Sequence, residues 1–199
     1  FSTNDGLTWI GANCPDTYSG PAKGLWTPAC LRFIDSNDNG INDLDDLNAW
    51  NAFEPATEDG SQISRRYQTA AFSYIRNNLH ELPSVVAVRV LRTWGFYDPG
   101  AMAEYNRGEG RGLRVSWAAW AFHIALLPFC VLGFRALRRA GRPTWPFVAN
   151  AVAVTAVSAL IYGLARFRLG WDVAAVILAA AGIEAVLRSR ADRQRPAGD

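Results

Sequence analysis

Three apolar runs constrain this chain more than any other feature. They extend from Trp117 to Phe134 (WAAWAFHIALLPFCVLGF), from Phe147 to Leu164 (FVANAVAVTAVSALIYGL) and from Trp171 to Leu187 (WDVAAVILAAAGIEAVL). Each approaches the roughly 20 residues that carry a helix across a bilayer core. The third is the most interrupted, with Asp172 and Glu184 near its ends. The alternative is a set of buried helices in a large soluble core, and two patterns argue against it. Trp117, Trp120, Trp145 and Trp171 cluster at the ends of the runs, as an interfacial aromatic belt does. The basic residues fall in alternate connections: Arg135, Arg138, Arg139 and Arg142 between the first and second runs, and Arg188, Arg190, Arg193 and Arg195 after the third. The positive-inside rule places both segments in the cytoplasm and leaves residues 1–115 and the short Arg166–Gly170 connection outside. The expected fold class is mainly α: a multi-pass plasma-membrane fragment with three C-terminal transmembrane helices (116–135, 146–165 and 171–187). An extracytoplasmic loop and helix region over 1–115 precedes them, and a cytoplasmic tail over 189–199 follows.

Charge separates along the same line. Residues 1–115 carry 14 acidic and 10 basic side chains, whereas residues 116–199 carry 4 acidic and 10 basic. A mean hydropathy of −0.02 is thus the average of a polar front and an apolar rear. The net charge of +2 lacks the concentrated basic face of a nucleic-acid binder. The excess positive charge flanks apolar runs, so membrane lipids are the expected partner. The chain opens on Phe1, and no signal-peptide pattern follows it. It is expected to be the C-terminal portion of a longer protein.

The front divides into segments. Residues 1–34 are rich in Gly, Pro, Asn and aromatics and contain Cys14 and Cys30. They read as a loop region in which the two cysteines form a disulfide in an oxidising compartment, with two reduced thiols as the alternative. Cys130 lies in an apolar run and reads as a small buried hydrophobe. Ile63, Tyr67, Ala70, Tyr74, Ile75 and Leu79 recur at helical spacing and predict an amphipathic helix over 62–80. Pro83 suits the first turn of a second helix, over 83–96. That helix is apolar apart from Arg89 and Arg92, which share a face, and it is too short to span. It is expected to lie at the outer membrane surface. Residues 97–114 read as a Gly-rich loop.

The sharpest local motif is Asp35–Asp46, DSNDNGINDLDD. Asp35, Asn37 and Asn39 occupy positions 1, 3 and 5 of an EF-hand-type calcium loop, Gly40 the turn, Ile41 position 7, Asp43 position 9 and Asp46 position 12. Aspartate replaces the usual glutamate at the last position, and in this respect the segment resembles dockerin-like and thrombospondin-type loops. A structural calcium ion is the expected cofactor, with a solvated Asx-rich turn as the alternative; no organic cofactor is expected.

Arg166 and Arg168 stand at the outer end of the second run. Arginines there suit a phosphate bidentately, or serve as snorkelling anchors. Together with Arg89 and Arg92 they form a candidate basic rim for a lipid phosphate. His80 and His123 are the only histidines. His123 lies inside the first run and reads as a neutral imidazole hydrogen-bonded within a helix bundle. No zinc cluster, nucleophile elbow or phosphate-binding glycine loop is present; Gly108–Gly112 is glycine-rich but follows no strand.

Seven segments occur in an order that carries a resemblance: TNDG (Thr3–Gly6), GANC (Gly11–Cys14), YSGP (Tyr18–Pro21), the pair Cys30–Leu31, LPSVVAVRVLRTWGFYDPG (Leu82–Gly100), YNRGEGR (Tyr105–Arg111) and YGLARFR (Tyr162–Arg168). Together they resemble the C-terminal end of actinobacterial family 39 glycosyltransferases, relatives of the protein mannosyltransferases and the lipid A aminoarabinose transferase. The resemblance implies a GT-C membrane enzyme of the cell envelope that moves a sugar from a polyprenyl-phosphate donor to an exported acceptor. It also implies that the catalytic aspartate belongs to an N-terminal transmembrane part outside this chain, so no catalytic residue is assigned and the fragment alone is expected to be inactive. Two departures stand out. Leu169–Gly170–Trp171 follows the RFR motif where family members usually have a proline, and residues from Asp35 to roughly Thr57 look like an insertion. The alternative from a different class is a non-enzymatic, membrane-anchored, calcium-binding adhesion or scaffold protein. For the calcium loop, the midpoint of thermal unfolding is expected to fall when a chelator is added; an unchanged midpoint contradicts it.

Overall fold

A computed structural model describes residues 5–33 and 60–194. Among them the chain is helical without strands. The helices are α1 (Asp5–Ala12), α2 (Pro15–Tyr18), α3 (Gly60–Asn77), α4 (Leu82–Thr93), α5 (Pro99–Gly108), α6 (Leu113–Arg139), α7 (Trp145–Leu160) and α8 (Leu169–Gln194), with 3₁₀ turns at Pro28–Phe33 and Ala165–Arg168. Two compact units result. One comprises Phe1–Arg92 with Ser158–Leu164, the other Thr93–Val157 with Ala165–Asp199.

In the first unit α1 lies against α3. Ile10, Leu31 and Ala71 form the buried centre, with Leu7, Trp9, Tyr67 and Ala70 packed around it. The amphipathic pattern expected over 62–80 thus appears as α3, and its Tyr67 and Ala70 face this core. Glycine permits the close approach: a Cβ on Gly6 would lie 2.1 Å from the Ser64 carbonyl oxygen. The Asp5 carboxylate binds the Gly6 amide, the Ser64 hydroxyl and, at 2.6 Å, Gln68 Nε2. Cys14 and Cys30 are bonded to each other and fully buried. Around them Thr17 Oγ1 accepts from the Cys14 amide at 3.1 Å, and Thr27 donates its amide to the Gly11 carbonyl at 2.9 Å. A Cβ on Gly11 would collide with the Trp26 indole, 2.1 Å away. That indole donates to the Leu7 carbonyl.

Residues 97–114 differ from the loop expected of them. Pro99–Gly108 is helical because Asp98 caps it, its side chain accepting from the Ala101 amide at 3.0 Å, and Pro99 is preset for the first helical position. The glycines that suggested a loop cluster at its C-terminal end, where Gly110 takes the left-handed conformation. The helix expected over 83–96 ends at Thr93, and Gly95 (φ 78°) turns the chain beyond it.

The second unit is built on α6 and α8. Both are long and apolar enough to cross a bilayer, α6 as Leu113–Arg139 and α8 together with its leading turn as Ala165–Ala191. They exceed the segments expected, 116–135 and 171–187. Their contacts pair His123 with Asp172, Cys130 with Ala175, and Gly133 with Leu178 and Gly182, so the two helices run in the same direction. Contact is close because both crossing positions are glycine. A Cβ on Gly133 would lie 1.8 Å from the Leu178 oxygen, and one on Gly182 would lie 2.2 Å from the Phe129 oxygen. Small residues at such a crossing let the backbones approach, which is how apolar helices associate when burial supplies no driving force. The middle run forms a shorter helix, α7, that ends at Leu160 instead of continuing to 165. The chain leaves the helix where Gly163 donates its amide to the Gly24 carbonyl at 2.8 Å and sits against the α4 backbone, 2.3 Å separating its would-be Cβ from the Arg89 oxygen.

Replacing Gly182 with Leu is expected to lower thermal stability in detergent by about 3 kcal/mol or more, since both neighbours of the added atoms are main chain. Gly108→Ala, at a helical glycine with open space around it, is expected to be neutral to slightly stabilising. Equal effects of the two substitutions would contradict the packing described.

Candidate functional site

The four arginines singled out by sequence have different environments. In the first unit Arg89 and Arg92 are 2% and 1% exposed. Arg89 Nη2 donates to the Ala12 carbonyl at 2.6 Å and to Asn13 Oδ1 at 2.9 Å. Arg92 donates from Nε to the Lys23 carbonyl at 2.7 Å and from Nη2 to the Pro21 carbonyl at 2.8 Å. Their one-turn spacing on α4 thus clasps the two flanks of the α2 segment. Asn13 Oδ1 also accepts from the Tyr18 hydroxyl at 3.1 Å. Burial pushes the Arg89 guanidinium below its ordinary pKa, and Tyr18 nearby opposes the shift. Burial likewise raises the Tyr18 phenol, opposed by the charge on Arg89. These guanidinium groups are committed to backbone acceptors. They hold a loop in place instead of lining a rim.

The second unit contains the other pair, in the 3₁₀ turn that leads into α8. Arg168 is buried. Its Nη1 donates to the Thr93 carbonyl at 3.0 Å and its Nε to Asp172 Oδ1 at 3.1 Å. The same carboxylate oxygen lies 3.3 Å from His123 Nδ1. Asp172 thus lies between a guanidinium and an imidazole. The other ring nitrogen, Nε2, is buried with no hydrogen-bond partner among the described residues. Gly95 closes this cluster: its carbonyl accepts from Trp120 Nε1 at 2.9 Å, and its Cα faces the Arg168 guanidinium, where any Cβ would sit 3.4 Å from Nη1. Trp94 stacks edge-on against Trp171 with ring centroids 5.1 Å apart and donates to Thr155 Oγ1.

Arg166 is placed differently from the other three. Its side chain is 41% exposed and pairs with Glu109 at 3.1 Å. Its guanidinium carbon also lies 5.8 Å from the centre of the Phe167 ring. A partly exposed ion pair of this kind is worth little to stability.

Asp172 and Glu109 are the residues that sequence reasoning passed over. Asp172 stands four residues after Arg168, the spacing of a helical ion pair, and that signal was present in the sequence. Glu109 carried none, because its partner is 57 residues away. The calcium-loop residues Asp35, Asn37, Asn39, Ile41, Asp43 and Asp46 lie outside the described residues. Among the described residues no group of three or more His, Cys, Asp or Glu side chains is arranged to hold a metal. His80 is exposed beside Glu81.

No protein-family model, curated protein or solved structure matches this chain.

Arg89→Met is expected to destabilise the protein by about 3 kcal/mol, because it leaves the Ala12 carbonyl buried and unpaired and takes from Asn13 Oδ1 one of its two donors. Arg107→Met, at an exposed surface pair, is expected to change stability by less than about 0.5 kcal/mol. Chemical unfolding of the two variants beside the parent protein measures both, and an Arg89 variant as stable as the parent contradicts the clasp.

Proposed function

We propose that this chain is the C-terminal, membrane-embedded part of a glycosyltransferase that transfers a sugar from a polyprenyl-phosphate donor to an exported acceptor. The observation that carries the proposal is the position of Arg166. It stands within the YGLARFR segment, at the head of an apolar helix, and its guanidinium alone among the four candidate arginines is exposed enough to meet a ligand. The ordered resemblance of seven segments to family 39 glycosyltransferases supplies the reaction class. Many residues of those segments have architectural roles: Gly11, Cys14, Tyr18, Cys30, Arg89, Arg92, Gly95 and Arg168 all fix backbone or close contacts. On this reading the chain supports an active site and contributes Arg166 to the donor phosphate, while the catalytic carboxylate belongs to another part of the protein.

Two points support a membrane location. Only 17% and 22% of the residues in the apolar stretches of α6 and α8 are buried, whereas a core helix of a soluble protein is mostly buried. Because α6 and α8 run in the same direction, a chain that crosses with both must return between them. α7 is the apolar helix that makes the return. At about 24 Å it is shorter than the bilayer core, a mismatch that local thinning and snorkelling flanks accommodate. The positive-inside rule then places the arginine-bearing ends in the cytoplasm, and the front region with Arg166 on the exported side. A calcium ion in 35–46 is part of the same proposal, in a structural role.

In the full-length protein, Arg166→Gln is expected to reduce kcat/KM for the lipid-linked donor about tenfold or more, at unchanged protein level in the membrane. Arg168→Gln is expected to reduce the amount of folded protein instead. Unchanged transfer kinetics for Arg166→Gln would leave it as an interfacial anchor. The upstream coding sequence is expected to supply an aspartate-bearing outer loop and further spans; a start codon or signal peptide immediately before Phe1 would contradict the proposal.

A further inference from the structure

The ends of α6 and α8 opposite Arg166 carry a second basic feature. Since the two helices run in the same direction and Gly133 meets Leu178 and Gly182, each position on α6 lies level with the α8 position about 47 residues later. Arg138 and Arg139 are thus level with residues near 185 and 186, and Arg142 lies just past the end of α6, turned back toward them. Arg138, Arg139, Arg142, Arg188 and Arg190 are all exposed. They fall within about 8 Å of one another along the bundle axis.

The ending of α6 fixes the backbone that carries Arg138, Arg139 and Arg142. Gly141 adopts φ 67°, its amide donates to the Arg138 carbonyl at 3.2 Å, and the Arg142 amide reaches back to the Leu137 carbonyl at 3.0 Å. This double closure satisfies the last carbonyls of α6 and folds Arg142 back onto the helix end. Trp145, 71% exposed, follows immediately. On this end Glu184 is paired with Arg188.

Depth gives the level at which these groups act. From Trp117 to Arg138 along α6 is about 31 Å, and from Arg168 to Arg188 along α8 is about 30 Å. Both equal the hydrocarbon thickness of a bilayer, about 30 Å. With Trp117 and Arg168 at one headgroup layer, the arginine cluster reaches the other. Exposed guanidinium groups held at the depth of lipid phosphates, beside an interfacial tryptophan, bind phosphate oxygens by charge-assisted hydrogen bonds.

We propose that Arg138, Arg139, Arg142, Arg188 and Arg190 form a binding site for the headgroups of anionic phospholipids, in the leaflet opposite Arg166. The site depends on the membrane location in the proposed function and is independent of sugar transfer. Its preference for anionic over zwitterionic lipid follows from charge, since each arginine near the surface adds attraction to an anionic headgroup.

The test uses native mass spectrometry of the full-length protein in a neutral detergent, supplemented with phosphatidylglycerol or with phosphatidylcholine. Phosphatidylglycerol is expected to remain bound in preference to phosphatidylcholine. In a variant combining R138Q, R139Q and R142Q that retention is expected to fall about tenfold or more, and the corresponding lysine variant should restore most of it. Inorganic phosphate at the lipid concentration is expected not to displace the lipid, and raising the salt is expected to weaken retention in the unmodified protein. The salt series stands even if the triple variant does not fold. Equal retention of the two lipids, or salt-independent retention, overturns the site while leaving the membrane location intact. Full displacement by inorganic phosphate overturns it in favour of a simple anion site. A full-length protein that stays monodisperse in water without detergent overturns the site and the membrane location together.

Discussion

An arginine side chain withdrawn from water must be given acceptors, and both units of this chain are organised around that requirement. Arg89, Arg92 and Arg168 are 2%, 1% and 6% exposed, and each donates to a main-chain carbonyl distant in sequence. A buried guanidinium left without acceptors is strongly destabilising. The segments that supply the carbonyls, around Ala12, Pro21–Lys23 and Thr93, therefore cannot move away without large loss. The disulfide fixes the covalent path of the first of these segments, and the arginines fix where it lies against α4. Arg168 does the same for the turn after α4 and adds Asp172, which in turn orients His123.

Glycine is the counterpart of this scheme. Gly163 brings the main chain against α4 beside Arg89, Gly95 clears the Arg168 guanidinium, and Gly133 with Gly182 sets the distance between α6 and α8. At Gly163, Gly133 and Gly182 a single added carbon would collide with backbone, and Gly95 adopts a left-handed φ of 78° against the Trp120 ring. Two of the four, Gly95 and Gly163, lie in segments that also carry a buried arginine, Arg92 and Arg168. Close backbone approach and acceptor supply are thus met by the same short stretches of sequence, YGLARFR and LRTWGFYDPG.

Much of the scaffold was legible in the sequence because it rests on periodicity and length. The apolar runs located α6 and α8, and the spacing of Tyr67, Ala70 and Tyr74 located α3. Pro83 and Pro99 each stand at the start of a helix; the glycines of residues 97–114 read as a loop, whereas Asp98 and Pro99 together start a helix there. The end of α7 at Leu160 was not legible, because its cause is contact of Gly163 with Gly24 and α4, far away in sequence. The site was less readable than the fold for the same reason. Residue type and spacing grouped Arg89, Arg92, Arg166 and Arg168 as equivalent, whereas burial separates them into three that hold backbone and one that meets solvent. Local spacing contained the Arg168–Asp172 pair; nothing local contained Arg166–Glu109.

The function proposed for this chain turns on whether the exposed Arg166 meets the phosphate of a lipid-linked sugar. Photocrosslinking in native membranes tests it directly, using the full-length protein and a polyprenyl-phosphate sugar that carries a diazirine beside the phosphate. Label recovered on peptides containing Ala165–Arg168 or Glu109, and lost when unlabelled donor is added, is the expected result. Label that never falls on this chain, while other parts of the same protein are labelled and protected by donor, would contradict a role for Arg166 at the phosphate.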